Sequence, residues 1–224
     1  MISDLTVTIN GRAKSERAFR DLLIVLRAGA PAGLSLGEVS ITPALVSPYQ
    51  WNASFDGKRI DVSGYVPDNA IIERFRTAEV SGAQVATGLA LGSGEPAGFA
   101  DLSQQLIEQL ALLEYGTASI TDGQSTLSGA PATLEIAQGI VETLEPSGTI
   151  VTLEPPRIAD YWMSATRQPG GVVVFDGYVP DEATREAFSL REGADTSYLK
   201  LGRGAPERYQ SGAEFGLDAL EMMS

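Results

Sequence analysis

The sequence contains no cysteine and no histidine in its 224 residues. Without these residues the chain cannot build a Ser-His-Asp triad, a Cys-His pair or a His/Cys zinc site from its own side chains. Most catalytic templates are therefore excluded. The lack of cysteine is compatible with an exported bacterial protein, but many cytosolic proteins also lack it, so the compartment stays open.

Positive charge is also scarce, since 16 Lys and Arg face 29 Asp and Glu and the net charge is −13. No part of the chain is strongly basic, so we expect no nucleic-acid partner and no simple electrostatic binding to anionic lipid. Residues 1–46 alone carry a slight positive balance, +1. Their cluster is interpreted first as a solvated helix face and second as a contact for a membrane or partner. The cluster comprises Arg12, Lys14, Arg17, Arg20 and Arg27, and the first four of these are the candidate contact residues.

Long apolar runs are missing as well. No stretch approaches the roughly 20 apolar residues of a membrane-spanning helix, so we expect no transmembrane segment. Residues 1–4 open almost directly into a strand and lack the charged-then-apolar pattern of a signal peptide. The chain is thus expected to be either cytoplasmic or a piece of a longer exported protein.

The sequence does contain a duplication. The pentapeptide Gly-Tyr-Val-Pro-Asp begins at Gly64 and again at Gly177, 113 residues later. Each copy follows a strand-like run, its proline holds the preceding valine extended, and its aspartate is well placed as a helix N-cap. We predict a strand-to-helix corner in each copy, with a structural role rather than that of a ligand loop. The corner residues are Gly64, Tyr65, Pro67, Asp68, Gly177, Tyr178, Pro180 and Asp181.

The pattern around the corners repeats too. Strand-like alternation at 5–9, a helix pattern at 16–26 and a strand at 36–41 predict a β-α-β segment, and a β-β-α-β-α segment follows, ending in a helix at 97–113. The same order restarts near residue 125. We predict an α/β fold (α+β sandwich) of two tandem units, 1–115 and 116–224, each with helices packed on a mixed sheet. The two halves within each unit also resemble each other.

Two further patterns resemble functional sites. Residues 92–98 read G-x-G-x-x-x-G before a helix, but the spacing does not match a dinucleotide loop and Pro96 removes an amide that would bind phosphate. Tyr49, Trp51, Tyr161 and Trp162 are expected to be core residues rather than a ligand-contacting cluster. We therefore predict no cofactor and no metal site.

The repeated motifs resemble a known family. Tyr-x-Trp-x-Ala at Tyr49, the Gly-Tyr-Val-Pro-Asp corner, and Leu-Gly-x-Gly-x-Pro at Leu91 and Leu201 are similar to the repeated periplasmic region of large OmpA-like outer-membrane proteins of alphaproteobacteria. That region is similar to tandem BON domains, the OsmY and nodulation modules. The resemblance implies a small α/β module with a non-enzymatic role at the cell envelope. It also implies a periplasmic location, as a fragment of a longer protein, and a phospholipid or envelope-protein partner.

Peptidoglycan binding is not implied, because the OmpA-like domain that carries it is not matched. Two alternatives stay open beside the structural module. One is a protein-interaction scaffold that uses an open sheet edge. The other is a carboxylate-dependent hydrolase, which requires a deep cleft holding two carboxyl groups, one of them with a raised pKa. The sequence indicates neither the ligand nor the oligomeric state.

Overall fold

A computed structural model describes residues 5–78, 80 and 82–222. These residues form six α-helices and eleven strands, and the sheets contain both parallel and antiparallel neighbours, so the fold is mixed α/β as predicted. The helices are α1 Glu16–Arg27, α2 Asn69–Arg76, α3 Phe99–Leu110, α4 Leu134–Leu144, α5 Glu182–Ser189 and α6 Tyr209–Met222. The strands are β1 Leu5–Arg12, β2 Leu34–Thr42, β3 Gln50–Phe55, β4 Arg59–Val66, β5 Gln84–Leu91, β6 Leu113–Thr121, β7 Gln124–Pro131, β8 Ile150–Leu153, β9 Met163–Arg167, β10 Val173–Val179 and β11 Ala194–Leu201.

The chain divides into two compact units. The first comprises Met1–Gly129 and Ile140–Thr152, and the second comprises Ala130–Gly139 and Leu153–Ser224. The first unit holds a parallel pair, β1-β2, and a six-stranded sheet in the order β5-β4-β3-β6-β7-β8. The second holds a three-stranded sheet in the order β11-β10-β9. These compact units do not coincide with the predicted domains 1–115 and 116–224.

Strand β6 accounts for the difference. Leu113 continues the apolar stripe of α3, and the sequence therefore predicted a helix through that residue, but the helix ends at Leu110 and β6 begins at Leu113. β6 pairs antiparallel with β3, which places Ile120 opposite Trp51. Both side chains are fully buried. The predicted boundary at 115/116 thus cuts a strand that completes the sheet of the first unit.

The six-stranded sheet consists of two similar halves, β3-β4-α2-β5 and β6-β7-α4-β8. Their first strands, β3 and β6, join the halves at the centre of the sheet. β6 and β7 are linked by Asp122 and Gly123, both with positive φ (46° and 89°), which is the geometry of a tight hairpin turn. The carboxylate of Asp122 also accepts a hydrogen bond from the Tyr49 amide at 2.8 Å, tying the turn to the start of β3.

Helices cover one face of this sheet. The core between them contains Trp51, Ile60, Phe75, Phe99, Leu106, Ile107, Leu110, Ile120, Leu127, Ile140 and Leu144, all almost fully buried. The opposite face is polar and open. It presents Asn52, Ser54, Asp61, Ser63, Thr117, Ser119 and Thr126. Alternation along β3 and its neighbours thus sets which side of the sheet packs and which meets water.

The remaining elements repeat parts of this six-stranded sheet. It is called the closed sheet below because its two halves are joined through β3 and β6. The segment β9-β10-α5-β11-α6 repeats the order β3-β4-α2-β5-α3, and Tyr209 packs edge-on against Tyr161 as Phe99 packs against Tyr49, each pair at 5.3 Å. β1-α1-β2 repeats β7-α4-β8. The closed sheet therefore combines the second half of the first sequence copy with the first half of the second copy.

Candidate functional site

The two corners differ from prediction in where the strand ends. Gly64 and Gly177 lie inside β4 and β10, and the chain turns only at the proline and aspartate that follow. Both glycines have positive φ, 106° and 118°. A Cβ at Gly64 would collide with the carbonyl oxygen of Gln50, and one at Gly177 with that of Trp162. Glycine is required here because the neighbouring strand passes directly against the backbone.

The aspartates of the corners cap the helices that follow. Asp68 accepts a hydrogen bond from the Ile71 amide at 3.0 Å, and Asp181 accepts one from the Thr184 amide at 2.7 Å. Hydrogen bonds from the side chain and backbone of Thr184 lower the pKa of Asp181 below its ordinary value. Both carboxylates are therefore engaged by the first turn of their own helix.

The tyrosines of the corners pack within aromatic groups. The ring of Tyr65 lies 6.4 Å from Tyr49, and that of Tyr178 lies 6.0 Å from Tyr161. The Tyr178 carbonyl accepts a hydrogen bond from the Tyr209 hydroxyl at 3.0 Å. Burial, with a smaller effect of the Asp181 charge, raises the pKa of Tyr209 to about 12. These contacts are structural. They connect the first corner to α3 through Tyr49 and Phe99, and the second corner to α6 through Tyr209.

The four aromatic residues predicted to be core divide into buried and partly exposed members. Tyr49 and Trp51 are buried, whereas Tyr161 is half-buried and Trp162 is 47% exposed. The prediction was wrong for Trp162. Met163 pairs with Gly177 as Trp51 pairs with Gly64, so Met163 is the equivalent of Trp51 in the repeat and points inward. Trp162 is then the equivalent of Gln50, the first residue of β3, which is exposed.

The basic residues of the first segment lie on an exposed surface. Arg12 ends β1, Lys14 follows it, and both are exposed. On α1, Arg17 lies 3.8 Å from Asp21 and Arg20 lies 3.6 Å from Glu16. Such exposed pairs contribute little to stability, so the guanidinium groups remain accessible to another partner.

Grooves are present on the second unit. One of about 470 Å³ is lined by Arg167, Gly170, Gly171, Val173, Arg191 and Glu192. Another of about 430 Å³ lies between α5 and α6 and is lined by Pro180, Asp181, Thr184, Phe188, Tyr209 and Ala213. Both grooves are partly open to solvent, and Pro180 and Asp181 of the second corner line the groove between α5 and α6.

The carboxyl groups with perturbed pKa values are shifted downward. Backbone amides of Arg59 and Lys58 lower the pKa of Asp56, and the side chain and amide of Ser197 lower that of Asp195. The alternative of a carboxylate-dependent hydrolase requires one carboxyl group with a raised pKa. Within the described residues no cluster of His, Cys, Asp and Glu is arranged to hold a metal ion. No helix in that part of the chain is long and apolar enough to span a membrane.

Sequence reasoning missed the outer edge of β9, which has no hydrogen-bonded neighbour strand among the residues that the structure describes. β9 hydrogen-bonds to β10 through alternate residues, because Gln168 and Trp162 bond to Val172 and Tyr178 on either side of the pairing. The backbone N–H of Ala165 therefore points away from β10. The equivalent residue in β3 is Ala53, and β6 pairs with it through Ala118. The similarity between the halves of each sequence copy was the available indication of this edge.

Comparison of the chain with models of known protein families and with curated proteins found no match. The BON-like assignment therefore stays a prediction from the repeated motifs.

Proposed function

We propose that the chain is a non-enzymatic structural and binding module of the cell envelope. In this proposal it lies in the periplasm, as part of a longer OmpA-like, outer-membrane-associated protein. The main support is the use of the duplicated corner: in both copies its glycine, tyrosine and aspartate make internal contacts that join a strand to a helix. The most distinctive repeated feature is thus used to build the fold.

A phospholipid surface is the first partner proposed for this module. Arg17 and Arg20 lie on α1 on the same side as Ile24, which is 65% exposed, and Val25, the next residue, is 64% exposed. A helix with exposed cations and exposed aliphatic side chains has the two features that favour adsorption to an anionic membrane surface. The strongly negative charge of the whole chain opposes such binding, so contact has to be local.

Co-sedimentation with liposomes tests this contact. The full chain is mixed with phosphatidylcholine vesicles, with and without phosphatidylglycerol, at low and high salt. We expect binding to anionic vesicles that weakens with salt and is lost in Arg17→Gln/Arg20→Gln. The matched control is Arg74→Gln/Arg76→Gln, since these arginines also form exposed ion pairs on a helix but belong to α2. Absence of binding under all conditions would remove the lipid contact from the proposal.

A second candidate function, a scaffold that binds proteins through a sheet edge, is favoured by β9. β9 has a hydrogen-bonded neighbour on one side only within the described residues. Ala165→Pro should block that edge without removing a β9–β10 bond, whereas Ala165→Ser should leave it usable. A pull-down from an envelope extract should lose its partner with the first variant and keep it with the second. Equal retention by both variants would contradict the use of this edge.

A further inference from the structure

Two groups of elements lie outside the closed sheet, and each corresponds to a different half of it. Each such group, and each half of the closed sheet, is called a half-unit here. The closed sheet joins a half-unit with two helices, β3-β4-α2-β5-α3, to one with a single helix, β6-β7-α4-β8. β9-β10-α5-β11-α6 is a half-unit of the first kind, and β1-α1-β2 corresponds to β7-α4-β8 of the second kind. Within the described residues, the chain thus carries in separate sheets a complete half of the first kind and the β7-α4-β8 part of the second kind, without a strand equivalent to β6.

The helices of the closed sheet show where such halves meet. The side chain of Gln105 on α3 donates a hydrogen bond to the carbonyl oxygen of Thr143 on α4 at 3.2 Å. These two residues therefore mark the contact between the two-helix half and the single-helix half.

Equivalent positions in the unjoined halves follow from matching contacts. Tyr209 begins α6 as Phe99 begins α3, so Phe215 corresponds to Gln105. Ser15 accepts a hydrogen bond from the amide three residues later at the start of α1, as Thr133 does at the start of α4. Counting along the two helices from these residues, Val25 corresponds to Thr143.

Both equivalents are large apolar residues on the surface. Phe215 is 77% exposed and Val25 is 64% exposed, and Ile24 beside Val25 is 65% exposed. In the closed sheet Thr143 is exposed and Gln105 is partly buried, so their contact lies at the rim between the two helices. The unjoined halves carry apolar side chains at these rim positions in place of the polar pair, and the adjacent Ile24 and Val25 form an apolar surface that can meet Phe215.

The dimensions of the second unit agree with this. Three strands span about 14 Å, whereas two packed helices need about 20 Å. α6 contacts β9, an end strand of the three-stranded sheet. In the closed sheet the equivalent helix α3 contacts both β3 and β6, whereas within the described residues β9 has no β6 equivalent beside it.

Charge favours the same pairing. Residues 1–46, which contain β1-α1-β2, carry +1, and residues 159–224, which contain the second unit's sheet, carry −5. Two copies of residues 159–224 would repel each other, whereas the two different halves would not.

We propose that copies of this chain associate head to tail, with β1-α1-β2 of one copy docked on β9-β10-α5-β11-α6 of a second copy. α1 packs against α6 as α4 packs against α3, and Val25 and Ile24 meet Phe215. In this arrangement β9 and β1 lie on either side of an empty position, which is equivalent to the position of β6 in the closed sheet. This inference goes beyond the proposed scaffold, because its partner is a second copy of the chain and its contact lies on the helices rather than on the β9 edge.

Cysteine cross-linking tests the contact, because the natural chain contains no cysteine. Val25→Cys chains are mixed with Phe215→Cys chains under mild oxidation, and mass spectrometry locates the disulfide. The control is Arg20→Cys, which is exposed on α1 but lies about 140° around the helix from Val25. We expect the Val25/Phe215 pair to cross-link about tenfold faster than the Arg20/Phe215 pair. Equal rates would overturn the proposal, as would a doubly substituted chain that links only within itself.

Sedimentation velocity over a concentration series provides the second measurement. Phe215→Gln and Val25→Thr introduce the residues of the closed sheet, and each should weaken association by about tenfold or more. Leu190→Ser, at an apolar residue that is 80% exposed elsewhere on the second unit, should not. A chain that is monomeric at every concentration overturns the head-to-tail contact. The liposome and pull-down results stand independently of that outcome, so the two proposals can fail separately.

Discussion

Replacing Gly64 with alanine should destabilise the first unit by about 1–3 kcal/mol. A non-glycine residue at a φ of 106° costs about 1–3 kcal/mol in backbone strain, and the new methyl group would also collide with the Gln50 carbonyl. The lower entropy of the unfolded alanine chain offsets about 0.4–1 kcal/mol of this cost. Relief of the collision requires β3 to shift, and β3 also pairs with β6.

The matched control is Gly88→Ala on the neighbouring strand β5. Gly88 has no positive φ, and an added methyl group there meets only the Val62 carbonyl at 3.7 Å, an ordinary contact. We expect this variant to change stability by between zero and about 1 kcal/mol in the stabilising direction. Urea unfolding in a Trp162→Phe background isolates the fluorescence of the buried Trp51. If the two alanine variants lie within about 0.5 kcal/mol of each other, the close-approach argument is wrong.

Three further predictions concern single side chains. Asp181→Ala should cost about 1 kcal/mol at pH 7 through loss of the helix cap, measured by chemical denaturation. Because the pKa of Asp181 is lower in the folded state, this contribution is present above the unfolded pKa and should disappear as the pH falls through the folded pKa; a difference that is constant with pH would contradict it. Acrylamide should quench Trp162 strongly and Trp51 weakly in single-tryptophan variants, and equal quenching would contradict their burial. Asp122→Ala should lower the thermal midpoint, with a cost of about 1–3 kcal/mol, because it leaves the Tyr49 amide without its acceptor, whereas Asp122→Asn should retain most of the stability.

The sequence predicted the local elements well wherever local chemistry determines them. The alternation of Leu5 to Ile9, the serine before α1 and the aspartate before α2 each specify a strand or a helix start through nearby contacts, and the described elements include all three. The first strand runs on to Arg12, beyond the alternating stretch 5–9, because the extended backbone continues its pairing with β2 through Gly11.

The grouping of these elements into units could not be predicted in the same way. A repeat in sequence determines the period of the array but not the point at which one folded unit ends and the next begins. That point is set by the pairing of β3 with β6, a contact between residues more than 60 positions apart, such as Gln50 and Thr121. Leu113 misled the prediction because the same leucine suits the apolar stripe of α3 and the inward face of β6.

The exposure of Trp162 was missed for a related reason. Trp51 and Trp162 look equivalent in composition, but they stand one position apart in the register of the two hairpins. A shift of one residue along a strand moves a side chain to the opposite face of the sheet. The candidate docking residues Val25 and Phe215 were similarly hidden, since each reads as an ordinary apolar residue of an amphipathic helix.

The offset between the sequence period and the closed sheet bears on how such a protein can change in length. Because the six-stranded sheet joins halves from successive sequence copies, the gain or loss of one whole period, about 113 residues, would give each added or remaining sheet of this kind the same types of strand neighbour. Duplication and deletion of entire periods are then tolerated wherever within the period the break falls. The number of modules could therefore change during evolution by whole sequence copies, while the type of core in each module stays the same.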